Sequence, residues 1–172
     1  MRQAATMTSY GPAVPTQRRV FPGGQLVSAQ LPGHQDPWPT ARYREVLGWA
    51  VQRRDGRTTL ALGEGIVAVA MPHALAREVV ADLARSDALG PVLVMKVEQQ
   101  QCWVFLADPN GVVASADLLP SGVVVLGCPA RVPLPASDTI SHDVSWAVPP
   151  DSCRRWLPTL AAILCAARYP GA

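Results

Sequence analysis

Residue types that could do chemistry are thinly spread along this chain of 172 residues. Ile66 to Met71 is an unbroken apolar run, the pattern of a strand buried on both faces. Ala68 and Ala70 stand two apart within it and share one face. A metal-dependent enzyme would mount paired carboxylates there, because hard divalent ions need oxygen ligands; here two methyl groups occupy the positions. An enzyme would have to use acids from elsewhere, such as Glu64 just before the run, Asp108 or Asp143. Arg53, Arg54 and Arg57 cluster around Asp55-Gly56, and Arg131 lies in a proline-rich stretch. Such guanidinium groups either touch phosphates or form a charged, solvent-facing hairpin tip. Gly63 and Gly65 bracket Glu64 but precede a strand, whereas a phosphate loop follows one and opens a helix.

Thiol, zinc and hydrolytic chemistry have no matching pattern. Cys102, Cys128, Cys153 and Cys165 form no CxxC pair, and with His34, His73 and His142 they make no zinc-ligand spacing. Buried free thiols in a reducing compartment are the expectation. No Ser/His/Asp order or nucleophile elbow occurs, and Asp151 or Ser152 is expected to satisfy backbone donors ahead of the C-terminal segment.

The elements that would position these residues follow from periodicity and punctuation. Met1 to about Pro39 is rich in proline and glycine and lacks a sustained period, so residues 1–39 are expected to be a disordered tail, with Leu26–Leu31 as a short edge strand at most and Arg18-Arg19 as a solvated basic spot. The ordered domain, residues 40–172, should open with a helix over Thr40–Leu47 stopped by Gly48. Trp49–Arg53 and Arg57–Leu62 flank Asp55-Gly56, a strong hairpin signal. Pro72 suits a first helical residue, and Ala76, Val79, Val80 and Leu83 make one helical face. Val92–Val97 and Cys102–Ala107 are expected to pair across a polar tip at Glu98–Gln101, and Asp108-Pro109-Asn110-Gly111 is a turn. Val123–Leu126 reads as a buried-type strand, Gly127–Pro135 as irregular or edge-like, and Val144–Val148 as an alternating strand. Pro158–Arg168 is helical, with Leu160, Ile163, Leu164 and Ala167 on one face. The sum is an α+β domain: a mixed, largely antiparallel sheet of about six to eight strands with two or three helices packed on it.

Composition narrows the classes. Charged residues make up 16% against a usual share of about 25%, so part of the surface either meets a partner or is loop-rich and uncharged. A net charge of +2 is too small to imply nucleic acid or an anionic membrane by itself, and the excess of arginine over Lys96, the single lysine, is compositional bias. There is no apolar leader, and Trp156–Ala167 is broken by Pro158 and too short to span a bilayer; a soluble cytoplasmic protein without membrane association is expected.

Taken in order, Gly48-Trp49-Ala50-Val51, Gly65 to Pro72, Cys102-Trp103-Val104-Phe105-Leu106, Leu126-Gly127 with Val132-Pro133-Leu134-Pro135-Ala136-Ser137, and Trp146-Ala147-Val148-Pro149-Pro150 form a series. It resembles the N-terminal domain of bifunctional DNA primase/polymerases, the Prim-Pol branch of the archaeo-eukaryotic primase superfamily, in the small, divergent form found in high-GC Gram-positive bacteria. The resemblance covers roughly Tyr43 to Arg168. It implies an Asp-x-Asp metal strand, a His-bearing strand and a Pro-Pro-Ser loop before a Tyr/Trp strand. The acidic positions match Ala68 and Ala70, the histidine matches Cys102 or Trp103, and the loop is reduced to Pro135-Ala136-Ser137. Nucleotidyl transfer needs carboxylate-held divalent ions on both the attacking and the leaving oxygen. The resemblance therefore implies a catalytically inert, primase-like pseudoenzyme with no metal or other cofactor, kept for binding single-stranded DNA, nucleotide or a protein partner, with Arg53, Arg54, Arg57 and Arg131 as contacts. Two alternatives stand beside it: an active primase/polymerase that uses magnesium or manganese on acids elsewhere, and a structural protein that docks through its N-terminal tail.

Overall fold

The structure, a computed structural model, describes residues 37–63, 65–97, 100–139 and 143–170. Glu64, His34, His142, the Arg18-Arg19 pair and the Leu26–Leu31 run lie outside the described residues. The elements are α1 (Thr40–Leu47), β1 (Val51–Arg54), β2 (Arg57–Ala61), β3 (Val67–Pro72), α2 (His73–Arg85), β4 (Val92–Val97), β5 (Gln100–Ala107), a 3-10 turn at Ala116–Leu118, β6 (Val124–Leu126), β7 (Arg131–Leu134), β8 (Val144–Val148) and α3 (Leu160–Arg168).

The protein is α+β, and its strands divide between two sheets: a three-stranded sheet in the order β1-β2-β7 and a five-stranded sheet in the order β6-β3-β5-β4-β8. Every pairing between these strands is antiparallel, and the strand and helix numbers fall in the expected range, with the strands parted into two sheets. The split follows from β3 and its neighbours. β3, α2 and β4 make a crossover with β5 inserted between the two strands, a split β-α-β unit. The Asp55-Gly56 hairpin is instead extended on its β2 side by β7.

Two cores result, one on each face of the five-stranded sheet. On one face Val69, Met71, Val92, Trp103, Phe105 and Ala107 pack beneath α2 (Ala76, Val79, Leu83) and α3 (Leu160, Ile163, Ala166, Ala167). On the other face Ala68, Leu93, Val104 and Leu106 meet Val51, Leu60, Leu62, Val132 and Leu134 of the small-sheet layer, with Tyr43 and Trp49. The order is helices, large sheet, then small sheet with α1. The alternation of apolar side chains along β3 and β5 builds this directly, because each strand must satisfy an apolar layer on both sides.

Local signals explain most boundaries. α1 ends in a left-handed Gly48 (φ 70°), whose N–H reaches the Arg44 carbonyl at 2.9 Å. Asp55 (φ 53°) and Gly56 (φ 71°) are both left-handed, the backbone of the tight hairpin turn that an Asp-Gly pair favours. Pro72 closes β3 in extended geometry (φ −62°, ψ 149°) as the N-cap of α2, one residue ahead of its expected helical place; its fixed φ is compatible with either state. The polar tip after β4 is shorter than expected, since Gln100 and Gln101 already pair with Val97 and Lys96. β6 lies at the sheet edge with Val124 half exposed, not buried, because only β3 flanks it. The cysteines correct another expectation: Cys102 is half-buried, and Cys128, Cys153 and Cys165 are exposed, all four as free thiols. For Cys165 the reason is helical phase, since Ile163, Ala166 and Ala167 take the inward face of α3. Among the described residues no helix is long and apolar enough to cross a membrane.

Candidate functional site

Two regions could carry function: the layer over Ala68 and Ala70, and the outer face of the small sheet. In the first, Ala68 is paired with Leu106 on β5 and Leu126 on β6, and it has no solvent-accessible surface. Ala70, paired with Val104 and Val124, is half-buried against the same cluster. Of the two residues matched to a histidine, Cys102 faces this layer, while Trp103 points to the helix side. Burial pushes the Cys102 thiol up, against a hydrogen bond with the Met71 backbone, so it stays neutral. Trp103 is buried beside His73 (ring centroids 5.5 Å), and its indole N–H finds no partner among the described residues.

The motif residues that flank this layer meet at Tyr43. Its hydroxyl donates to the Pro135 carbonyl at 2.7 Å and accepts from the Trp146 indole at 2.9 Å. Trp49 stacks on its ring at 6.0 Å, and Trp38 lies at 5.5 Å. Burial, with the Asp138 charge adding and hydrogen bonds opposing, pushes the phenol up to about 12. Gly48-Trp49, Pro135-Ala136-Ser137 and the Trp146 strand therefore hold α1 in place through Tyr43. Beside them the Thr40 N–H and hydroxyl both donate to Asp138 Oδ1, at 3.0 and 2.9 Å, and the Thr40 hydroxyl lies 2.6 Å from that of Thr58. A carboxylate from a distant loop thus caps the first turn of α1. Burial acts upward on the Asp138 carboxyl, but the Thr40 bonds and Arg53 prevail and hold it below its usual range.

The described acids of that set, Asp108 and Asp143, do not converge. Asp108 ends β5, where its carboxylate accepts from the Asn110 N–H at 2.8 Å and its backbone pairs with the chain entering α3. Asp143 precedes β8 at the opposite end of the large sheet, its carbonyl accepting from Lys96 N–H. The intervening length of β5, Gln101 to Asp108, is about 23 Å at 3.3 Å per residue. Among the described residues no group of three His, Cys, Asp or Glu could hold a metal ion. Asp151 accepts from the Cys153 N–H at 2.8 Å, the backbone role expected of it.

The arginines separate by strand parity. Arg54, Arg57 and Arg131 line one groove of about 530 Å³ on the outer face of the small sheet, with Gln52, Asp55 and Thr59. Arg53 points the other way and sits 3.6 Å from Asp138. Gln52 and Thr59 were absent from the sequence-based set although the hairpin register contains them: a two-residue Asp55-Gly56 turn pairs Arg54 with Arg57 and, two steps on, Gln52 with Thr59. β7 brings Arg131 alongside, its guanidinium donating to Gln52 Oε1 at 3.0 Å. A second concavity of about 430 Å³ lies between Trp38, Arg42 and the Pro149-Pro150-Asp151 turn, with the Arg42 guanidinium 4.6 Å above the Trp38 ring.

No protein-family model, curated protein or solved structure matches the chain.

Proposed function

We propose that this protein is a catalytically inert, primase/polymerase-like domain that serves in the cytoplasm as a binding module. One observation carries this reading: Ala68, at a position that the motif series matches to a metal-binding acid, is sealed under an apolar layer supplied by the small sheet. An inter-sheet space filled by Leu60, Leu62, Val132, Leu134 and Trp49 leaves neither oxygen ligands nor room for a nucleotide there. The separation of Asp108 from Asp143 supports the same conclusion, because two-ion catalysis needs carboxylates that meet within a few ångströms. The motif residues that persist serve packing around Tyr43, which preserves the scaffold without the reaction.

A primer-extension assay with magnesium or manganese, using both ribo- and deoxynucleotides, tests the proposal. No incorporation above a no-protein control is expected. Template-dependent incorporation that is lost on Asp108→Asn or Asp143→Asn substitution would overturn it.

A further inference from the structure

The outer face of the small sheet carries charge that the fold does not neutralise. Arg54 and Arg57 are direct cross-strand partners, a like-charge pairing that works against the hairpin. Among the described residues the one carboxylate lining the groove, Asp55, lies 3.7 Å from Arg54, with both side chains nearly fully exposed, so their attraction is heavily screened. Arg57 has no ion-pair partner among the described residues. Arg131 is held in place by Gln52. Among the described residues three guanidinium groups and one carboxylate thus face one groove, a local excess of two positive charges on a chain whose total is +2.

We propose that this groove is a binding site for a linear phosphate chain, either the phosphodiester backbone of a single nucleic-acid strand or an inorganic oligophosphate. Arg57 pairs with Arg54, and Arg131 stands opposite Ala61, four positions further along β2. The backbones that carry the cationic groups therefore span about 13 Å along the strands. The Arg131 guanidinium reaches back across β2 to Gln52, level with Thr59, so the charges are spread along and across the sheet, which suits a row of anions better than a single one. Arginine's planar fork matches phosphate oxygens bidentately, and the Thr59 hydroxyl, now donating to the Gln52 carbonyl at a long 3.5 Å, lies on the same face. Among the described residues no aromatic side chain lines the groove to offer a platform for base stacking, so recognition is by phosphate, independent of sequence. The ligand would neutralise the Arg54–Arg57 repulsion, so binding and hairpin stability rise together. The face lies on the opposite side of the small sheet from Ala68. The inference deepens the binding-module proposal and rests on it only for the absence of turnover.

The test is fluorescence anisotropy with a labelled oligothymidylate across a salt series, with inorganic tripolyphosphate and polyglutamate as competitors. Three phosphate contacts give a slope of log K against log salt of about −2 for a single strand. The triple variant Arg54→Gln/Arg57→Gln/Arg131→Gln is expected to lose at least tenfold in affinity and to flatten that slope, while Arg77→Gln on the exposed side of α2 leaves both unchanged. The variants change solvent-facing side chains, and a thermal melt verifies that they fold. Competition by tripolyphosphate supports the shared phosphate chemistry and admits a free oligophosphate as ligand; binding of the oligonucleotide alone supports a nucleic-acid backbone. Failure to bind at tens of micromolar, equal binding by the triple variant, or equal competition by polyglutamate would overturn the site. Such a failure leaves an inert module with another partner, whereas incorporation in the primer-extension assay removes the inert module and leaves the binding measurement standing.

Discussion

Placing acids at Ala68 and Ala70 separates a sealed layer from a vacant metal site. Ala68 has no accessible surface and belongs to one apolar cluster with Leu60, Leu62, Leu93, Leu106 and Val132. An aspartate there finds no described cation in its cluster, so burial raises its pKa by about 3–5 units. At pH 7 the ionisation penalty is then limited by the gap from the unfolded value of about 3.9, roughly 4 kcal/mol at 1.36 kcal/mol per unit. Forcing a larger side chain into the packed layer adds about 1–3 kcal/mol. The total, about 5–7 kcal/mol, approaches the whole stability of a typical domain, about 5–15 kcal/mol. Ala70→Asp, half-buried, reaches water and should cost only about 1–2 kcal/mol. Urea denaturation followed by tryptophan fluorescence measures both. A pH series adds a signature: the folded-state pKa at position 68 is raised, so the variant's deficit against the parent is smallest below pH 4 and grows as pH rises toward the folded value. Equal stability of the two variants, or a folded double variant that binds manganese at micromolar levels, would refute the sealed layer and reopen the enzyme.

Other outcomes follow from the contacts around α1 and α3. Tyr43→Phe leaves the Pro135 carbonyl and the Trp146 indole without their shared partner and should cost about 1–3 kcal/mol in chemical denaturation; a loss within error would mean that water replaces the hydroxyl. The same variant should remove a tyrosine ionisation expected near pH 12, read by absorbance titration. Asp138 has a lowered folded-state pKa, so its contribution is present above about pH 4 and is lost as pH falls through the folded value; Asp138→Asn should flatten that acid limb of the stability curve, and an unchanged limb would exclude the Thr40 cap as its source. Gly90→Ala would place a methyl group against the Pro158 ring and should lower stability by about 1–3 kcal/mol, read as a drop in melting temperature.

The sequence by itself determined the local elements, because their signals are short-range. Gly48 after a helical period marks the end of α1; Asp55-Gly56 sets the turn and with it the register of Gln52, Arg54, Arg57 and Thr59; the apolar run of β3 announces a strand buried on both faces. Only the tertiary structure decided what lies against those faces. Nothing local says that the strands part into two sheets, because that choice depends on which hydrophobic face closes over which. That closure sealed Ala68, turned Arg53 toward Asp138, and brought Arg131 beside Arg54 and Arg57. Asp138 was silent as a cap because its partner Thr40 is 98 residues away. Alternation assigns a side chain to one face or the other; which face meets a second sheet and which meets water is fixed only when the layers close.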